Sequence, residues 1–145
     1  LNFGEQTTIY NSSFVFGKVR VGKNTWIGPN TILDGSGGDL EIGDFCSISS
    51  GVQIYTHDTV MWALSGGYKK FEKEKVKIGH YNYIGSLSII NLGVNIGNQC
   101  VIGANSFVNC NIPDRSIFAG SPAKKIGEVV GEKDNLTLQY SNNKG

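Results

Sequence analysis

His57 and His80 are the only two histidines in this 145-residue sequence. Imidazole has an ordinary pKa of about 6.5, so at neutral pH it is uncharged yet basic enough to take a proton from an attacking hydroxyl or amine. His57 lies in Tyr55-Thr56-His57-Asp58, directly after the aliphatic Ile54 and directly before a stretch that breaks the periodicity of the chain. A residue in that place can sit in a groove and be shielded by the loop that follows, which makes it the candidate general base. Asp58 is the candidate to fix its tautomer or to position an acceptor. His80, in Ile78-Gly79-His80-Tyr81-Asn82, reads as a solvated turn residue. Two histidines are too few for a three-histidine zinc site, and Cys46, Cys100 and Cys110 include no pair at metal-ligand spacing, so no metal is expected. Cys46 and Cys100 fall at small-residue packing positions. Cys110 is the alternative nucleophile.

The elements that must hold these groups follow from a strict period of six. Ile78, Ile84, Ile90, Ile96, Ile102 and Val108 keep it without a slip, and Gly79, Gly85, Gly97 and Gly103 follow four of them. Neither the helical period nor strand alternation gives a six. A six-residue repeat is the signature of a parallel β-helix, whose stacked coils bury a continuous column of side chains. The glycines are expected to take positive φ at tight corners. The same register runs earlier through Ile9, Val15, Val21, Ile27 and Leu33, and resumes three residues late at Ile42, Ile48 and Ile54 after Gly35-Ser36-Gly37-Gly38-Asp39. That insertion reads as a turn at a coil corner. Between Ile54 and Ile78 the in-register positions are Val60, Gly66 and Glu72, of which only the first is aliphatic. Residues 58–75 therefore read as a loop ejected from the column, and loops of that length usually carry function.

The length is that of one domain. A net charge of +1 lacks the basic excess of a nucleic-acid binder. No apolar run reaches the roughly 18 residues of a membrane span, and no signal-peptide layout opens the chain. With no disulfide framework, a cytoplasmic location is expected. Pro113 closes the last coil, since it cannot donate to a ladder. Beyond Gly127 the chain turns polar; Leu136, Leu138 and Tyr140 alternate as in a strand, and residues 142–145 are expected to fray.

Three motifs in order carry a family resemblance: Tyr83-Ile84-Gly85-Ser86, Val101-Ile102-Gly103-Ala104-Asn105-Ser106, and Ile112-Pro113 followed by Ala119-Gly120-Ser121-Pro122-Ala123-Lys124. This set resembles the C-terminal half of the hexapeptide-repeat acyltransferases, in the branch of sugar and surface-polysaccharide O-acetyltransferases and nucleotide-sugar N-acetyltransferases. Tyr83 departs from that pattern, standing where the sugar branch usually has Trp.

The resemblance implies an all-β fold, a left-handed parallel β-helix over residues 1–127 with the 58–75 loop ejected and a 128–145 tail. It implies a homotrimer with active sites between subunits, acetyl-CoA as co-substrate and a sugar or nucleotide-sugar acceptor. His57 then corresponds to the catalytic histidine, with Asp58 beside it, and Ser86 to the stabiliser of the tetrahedral intermediate. Gly85, Ser86, Gly103 and Ala104 would lie along the pantetheine arm, and Lys124 and Lys125 would meet its phosphates. Asn30, Asp34 and Trp62 are the acceptor-side candidates. Transfer to oxygen, transfer to an amino-sugar nitrogen and a non-catalytic scaffold all remain open readings of the sequence.

Overall fold

The structure is a computed structural model and describes residues 2–142; most of the tail expected to fray lies outside them. Successive hexads form the three faces of a coiled column, an all-β left-handed parallel β-helix. The first face stacks Thr8–Ile9, Trp26–Ile27, Ser47–Ile48, Tyr83–Ile84, Val101–Ile102 and Ser116–Gly120, all in parallel. The second contains Gln53–Ile54, Ile89–Ile90 and Phe107–Val108. The third contains Asn2–Phe3, Val76–Ile78 and Asn95–Ile96, with Ile112 bridging Ile96. Two longer strands, Phe14–Val21 and Ile32–Ile42, run through the corner between the second and third faces and belong to both.

The register shows where residues were added. Ile84 pairs with Ile102 eighteen positions on, one residue per face every six. Ile27 pairs with Ile48 at 21, the three extra falling within the Gly35–Asp39 stretch. Ile48 pairs with Ile84 at 36, so eighteen residues, one coil's worth, leave the column between them. The repeating aliphatics are what it buries: Ile27, Leu33, Ile48, Ile54, Ile84, Ile90, Ile102 and Val108 have no exposed surface. Each contributes on the order of 1.5–3 kcal/mol of apolar transfer.

The corners differ from the sequence expectation. Positive φ falls three residues after the aliphatic, at Tyr81, Leu87, Gly93, Gln99 and Asn105, and not on the glycine that follows it. Those glycines answer a different need. A Cβ on Gly85 would lie 2.5 Å from the Ala104 amide nitrogen, and one on Gly79 2.5 Å from the Gly97 carbonyl oxygen. Coils can stack this closely only where no side chain stands between backbones.

Both interruptions have their own order. The Gly35–Asp39 insertion is no turn; it is absorbed into the eleven-residue Ile32–Ile42 strand. The ejected segment opens with His57–Asp58, which pairs antiparallel with Glu72–Lys73, and carries a five-residue helix, Val60–Leu64. Secondary structure inside the loop gives its backbone amides and carbonyls partners they would otherwise lack. At the C-terminal end, Ser116–Gly120, Ala123–Val130 and Thr137–Tyr140 form an antiparallel extension of the first face. The Ala123–Val130 strand crosses Gly127 without a break. Among the described residues no helix is long and apolar enough to cross a membrane.

Candidate active site

His57 is placed by contacts from three segments. It follows the buried Ile54 and starts the loop's ribbon, while the glycine-rich insertion packs beneath it. Thr56 is the fastening: its hydroxyl donates to the Asp34 carbonyl at 2.8 Å and accepts the amides of Gly37 and Gly38 at 3.0 and 3.2 Å. Its own carbonyl accepts the Glu74 amide, closing the base of the loop. Gly37 has to be glycine, because a Cβ there would lie 2.3 Å from the Thr56 carbonyl oxygen and 2.6 Å from the His57 Cβ. The glycines of the insertion thus admit another part of the chain.

The group facing the imidazole is Asp34. Its Oδ2 lies 3.0 Å from His57 Nδ1, and its side chain is 7% exposed against 31% for the histidine. The other oxygen, Oδ1, accepts the Ser36 amide at 2.8 Å and the Ser36 hydroxyl at 2.6 Å. The Ser36 hydroxyl lies 3.5 Å from the same His57 nitrogen. A carboxylate oxygen only accepts hydrogen bonds, so the contact fits the tautomer with its proton on Nδ1, which leaves the Nε2 lone pair without a partner among the described residues. This is the tautomer a general base requires. Tyr55 is near the same carboxylate; burial, with the Asp34 charge second, pushes its phenol up, and the hydroxyl donates to Gln53 Oε1 at 2.6 Å.

The candidates read from the sequence separate into two groups. His57, Asp34 and the ejected loop with Trp62 lie at the corner between the second and third faces. Asp58, expected beside the imidazole, is engaged elsewhere: its Oδ1 accepts the Val60 amide at 3.1 Å, as adjacent strand residues point to opposite sides. Asn30, Gly85, Ser86, Gly103 and Ala104 lie at the other end of the second face, at its corner with the first. There Asn30 is exposed with φ 59°, and the Ser86 carbonyl accepts the Asn105 amide. Lys124 and Lys125 are exposed on the C-terminal hairpin, Lys125 pairing with Glu128 at 2.7 Å. One chain therefore does not bring Ser86 beside His57.

Sequence reasoning missed Ser36, Thr56 and Gly37, and gave Asp34 an acceptor role without the contact to His57. The signal was available: the insertion makes the local period 21, which puts Asp34 one coil below Tyr55 and two residues from the histidine. His80 is a turn residue, and its Nδ1 accepts the Asp44 amide at 2.8 Å. Burial raises the thiols of Cys46 and Cys100, while Cys110 is exposed. Among the described residues no group of three His, Cys, Asp or Glu side chains is placed to hold a metal ion.

A column of hexapeptide coils with a histidine held at the root of an ejected loop defines a class, and comparison with known proteins gives the same class. The hexapeptide repeat of succinyl-transferase matches residues 75–110. Protein CapG of Staphylococcus aureus is 41% identical over 91 residues, covering 62% of this chain and 53% of its own length. Galactoside O-acetyltransferase of Escherichia coli is 30% identical over 129 residues, covering 75% and 63%. Among solved structures, AntD, an N-acyltransferase from Bacillus cereus in complex with dTDP and 3-hydroxybutyryl-CoA, superposes with a TM-score of 0.76 at 31% identity, covering 86% of this chain and 70% of that one. A hexapeptide-repeat-containing acetyltransferase from Vibrio cholerae complexed with acetyl coenzyme A gives 0.76 at 27%, covering 86% and 69%. The chain belongs to the hexapeptide-repeat acyltransferase family. It spans 53% and 63% of the length of the two curated relatives named.

Proposed function

We propose that this protein transfers an acetyl group from acetyl-CoA to a hydroxyl of a sugar or nucleotide-linked sugar, in the making of a surface polysaccharide, with His57 as general base. The observation that carries the reading is the His57–Asp34 contact, which leaves Nε2 free at the edge of the ejected loop. Nε2 takes the acceptor proton as its oxygen attacks the thioester carbonyl, and the Asp34 carboxylate stabilises the imidazolium formed. Ser86 faces the tetrahedral oxyanion. Collapse breaks the carbon–sulfur bond, and the imidazolium returns its proton to the departing CoA thiolate. Donors aimed at the oxyanion and a properly held base each supply several kcal/mol of barrier reduction, on the order of 10²–10⁴-fold for the base.

His57 and Ser86 stand at opposite ends of one face, so the reaction centre is completed by a second copy of the chain. In a homotrimer the His57 corner of one subunit meets the Ser86 corner of its neighbour. Exposed apolar side chains around the first face, Trp26, Phe45, Tyr81, Tyr83 and Leu87, favour such burial. Acetyl-CoA would run along the Gly85, Ser86, Gly103 and Ala104 corner toward Lys124 and Lys125. The tight coil packing at Gly85 accounts for that glycine by itself, so the small exposed Ala104 carries more of the argument. Residues 1–127 form the transferase unit in this reading, residues 128–145 its tail. Transfer to an amino-sugar nitrogen is the second reading, favoured by the likeness to the N-acyltransferase AntD.

Calorimetry with acetyl-CoA on wild type and His57→Ala, followed by thiol release with sugars and amino nucleotide-sugars, tests the proposal. Both proteins should bind and only wild type should release CoA at speed. A wild type that binds no acetyl-CoA would defeat it.

A further inference from the structure

Between Asp34 and Asp39 the chain carries a single side chain. A Cβ on Gly35 would strike the Lys18 carbonyl oxygen, one on Gly37 the Thr56 carbonyl oxygen and the His57 Cβ, and one on Gly38 would lie 2.9 Å from the Lys75 amide nitrogen. None of these three glycines has positive φ, so each answers a demand for space and not for an unusual backbone. Ser36 stands among them with an exposed side chain. The one side chain this stretch admits is a hydroxyl, and it is beside the histidine.

That hydroxyl has one proton and two groups in reach. Asp34 Oδ1 lies at 2.6 Å and His57 Nδ1 at 3.5 Å, so the proton goes to the carboxylate. The Ser36 amide donates to the same Oδ1 at 2.8 Å. The torsion that turns an aspartate carboxylate is broad and poorly fixed by rotamer preference, so neighbouring donors decide its orientation. Two donors on Oδ1 leave Oδ2 to His57 Nδ1 at 3.0 Å. The other neighbours supply none. Phe16, the register partner of Asp34 on the adjacent coil, has no polar atom in its side chain, and the Tyr55 hydroxyl donates to Gln53. Nor is Ser36 placed as a nucleophile. A nucleophilic serine gives its proton to a base, whereas Ser36 faces Nδ1, the nitrogen that already holds a proton in the tautomer described above.

We infer that Ser36 is a positioning residue for His57 and acts through Asp34: its hydroxyl holds the carboxylate at the angle that keeps the proton on Nδ1. The inference rests on the acetyl-transfer reading for its effect on rate, and on the hydrogen-bond geometry alone for its effect on the imidazole. The two are therefore read separately.

Wild type, Ser36→Ala, Ser36→Thr, Asp34→Asn and the Ser36→Ala/Asp34→Asn double variant are compared, with melting curves to correct for folded protein. Thiol release is followed with acetyl-CoA and the sugar or amino nucleotide-sugar that wild type uses fastest. Ser36→Ala should lower kcat about tenfold, the loss of one hydrogen bond to a charged group, with KM for acetyl-CoA within about twofold. Ser36→Thr keeps the hydroxyl and should stay within about threefold of wild type. In the Asp34→Asn background, Ser36→Ala should cost less than about twofold, because its effect passes through the carboxylate. An equal loss in both backgrounds, or no loss in either, would overturn the assignment. Without any substrate, the ¹⁵N spectrum of His57 should show a smaller fraction protonated on Nδ1 in Ser36→Ala and a restored one in Ser36→Thr. A His57 spectrum that ignores Ser36→Ala would overturn the assignment as well. A wild type that releases no CoA while its His57 responds to Ser36→Ala would defeat the acetyl-transfer reading and uphold the role of Ser36.

Discussion

The two histidines sit at two different corners of the same column, and each has its Nδ1 engaged. At His57 the partner is a buried carboxylate, which can only accept, so Nδ1 donates and Nε2 keeps its lone pair. At His80 the partner is the Asp44 backbone amide, which can only donate, so Nδ1 accepts and Nε2 carries the proton. Each is backed by a glycine whose Cβ would strike its side chain: Gly37 at His57, and Gly43, where a Cβ would lie 2.6 Å from His80 Nδ1. The same residue type in the same architecture is thus set in opposite tautomers by one neighbour. One is the base of the proposed transfer; the other ties a corner to the coil below. Side-chain identity alone would not have told them apart.

The comparison predicts a graded set of effects. The largest is at His57 itself: His57→Ala should lower the rate of CoA release by about 10²–10⁴-fold, whereas His80→Ala should stay within about twofold once corrected for folded protein. Equal losses in steady-state assays would break the distinction. Next comes Asp34→Asn, which keeps the shape but removes the charge that stabilises the imidazolium. A fall of about 10²-fold in kcat is expected, with KM for acetyl-CoA unchanged. A change confined to KM would mean that Asp34 only contacts substrate.

The glycine pair sharpens the contrast by separating activity from stability. Gly37→Ala should displace His57 and cost about tenfold or more in kcat. Gly43→Ala should cost about 1–3 kcal/mol in denaturant unfolding with turnover per folded molecule intact. The reverse pattern would mean that the two corners had been assigned the wrong way round. The smallest effect is expected at Cys110, which is exposed and apart from the histidine's contacts: Cys110→Ala should alter CoA release by less than about twofold. A deep loss there would replace direct transfer with an acyl-enzyme.

How much of this was legible beforehand varied with the kind of interaction. The column was, because a buried aliphatic every six residues leaves a trace that survives side-chain variation elsewhere. The ejected loop was legible by default, from Gly66 and Glu72 at positions that a coil would fill with aliphatics. His57 stood out only because it abuts that break. Its partner did not stand out, because the contact joins positions 23 apart across an insertion, and Asp58 next door offered a simpler candidate that the strand turns away. The corner glycines were read for the wrong reason. Positive φ is borne by Tyr81 and Leu87, and the glycines relieve a clash between coils that only stacking creates. Positions such as Ser86 and Gly103 are legible through the family resemblance, and one chain does not bring them to His57.

The opposite tautomers can be observed directly. With only two histidines in the chain, a long-range ¹H–¹⁵N correlation spectrum of uniformly labelled protein above neutral pH shows two imidazoles, assigned by the loss of one in His80→Ala. The prediction is a protonated Nδ1 with a bare Nε2 for His57, and the converse for His80. A His57 ring protonated on Nε2, or averaging freely between the two forms, would contradict the account.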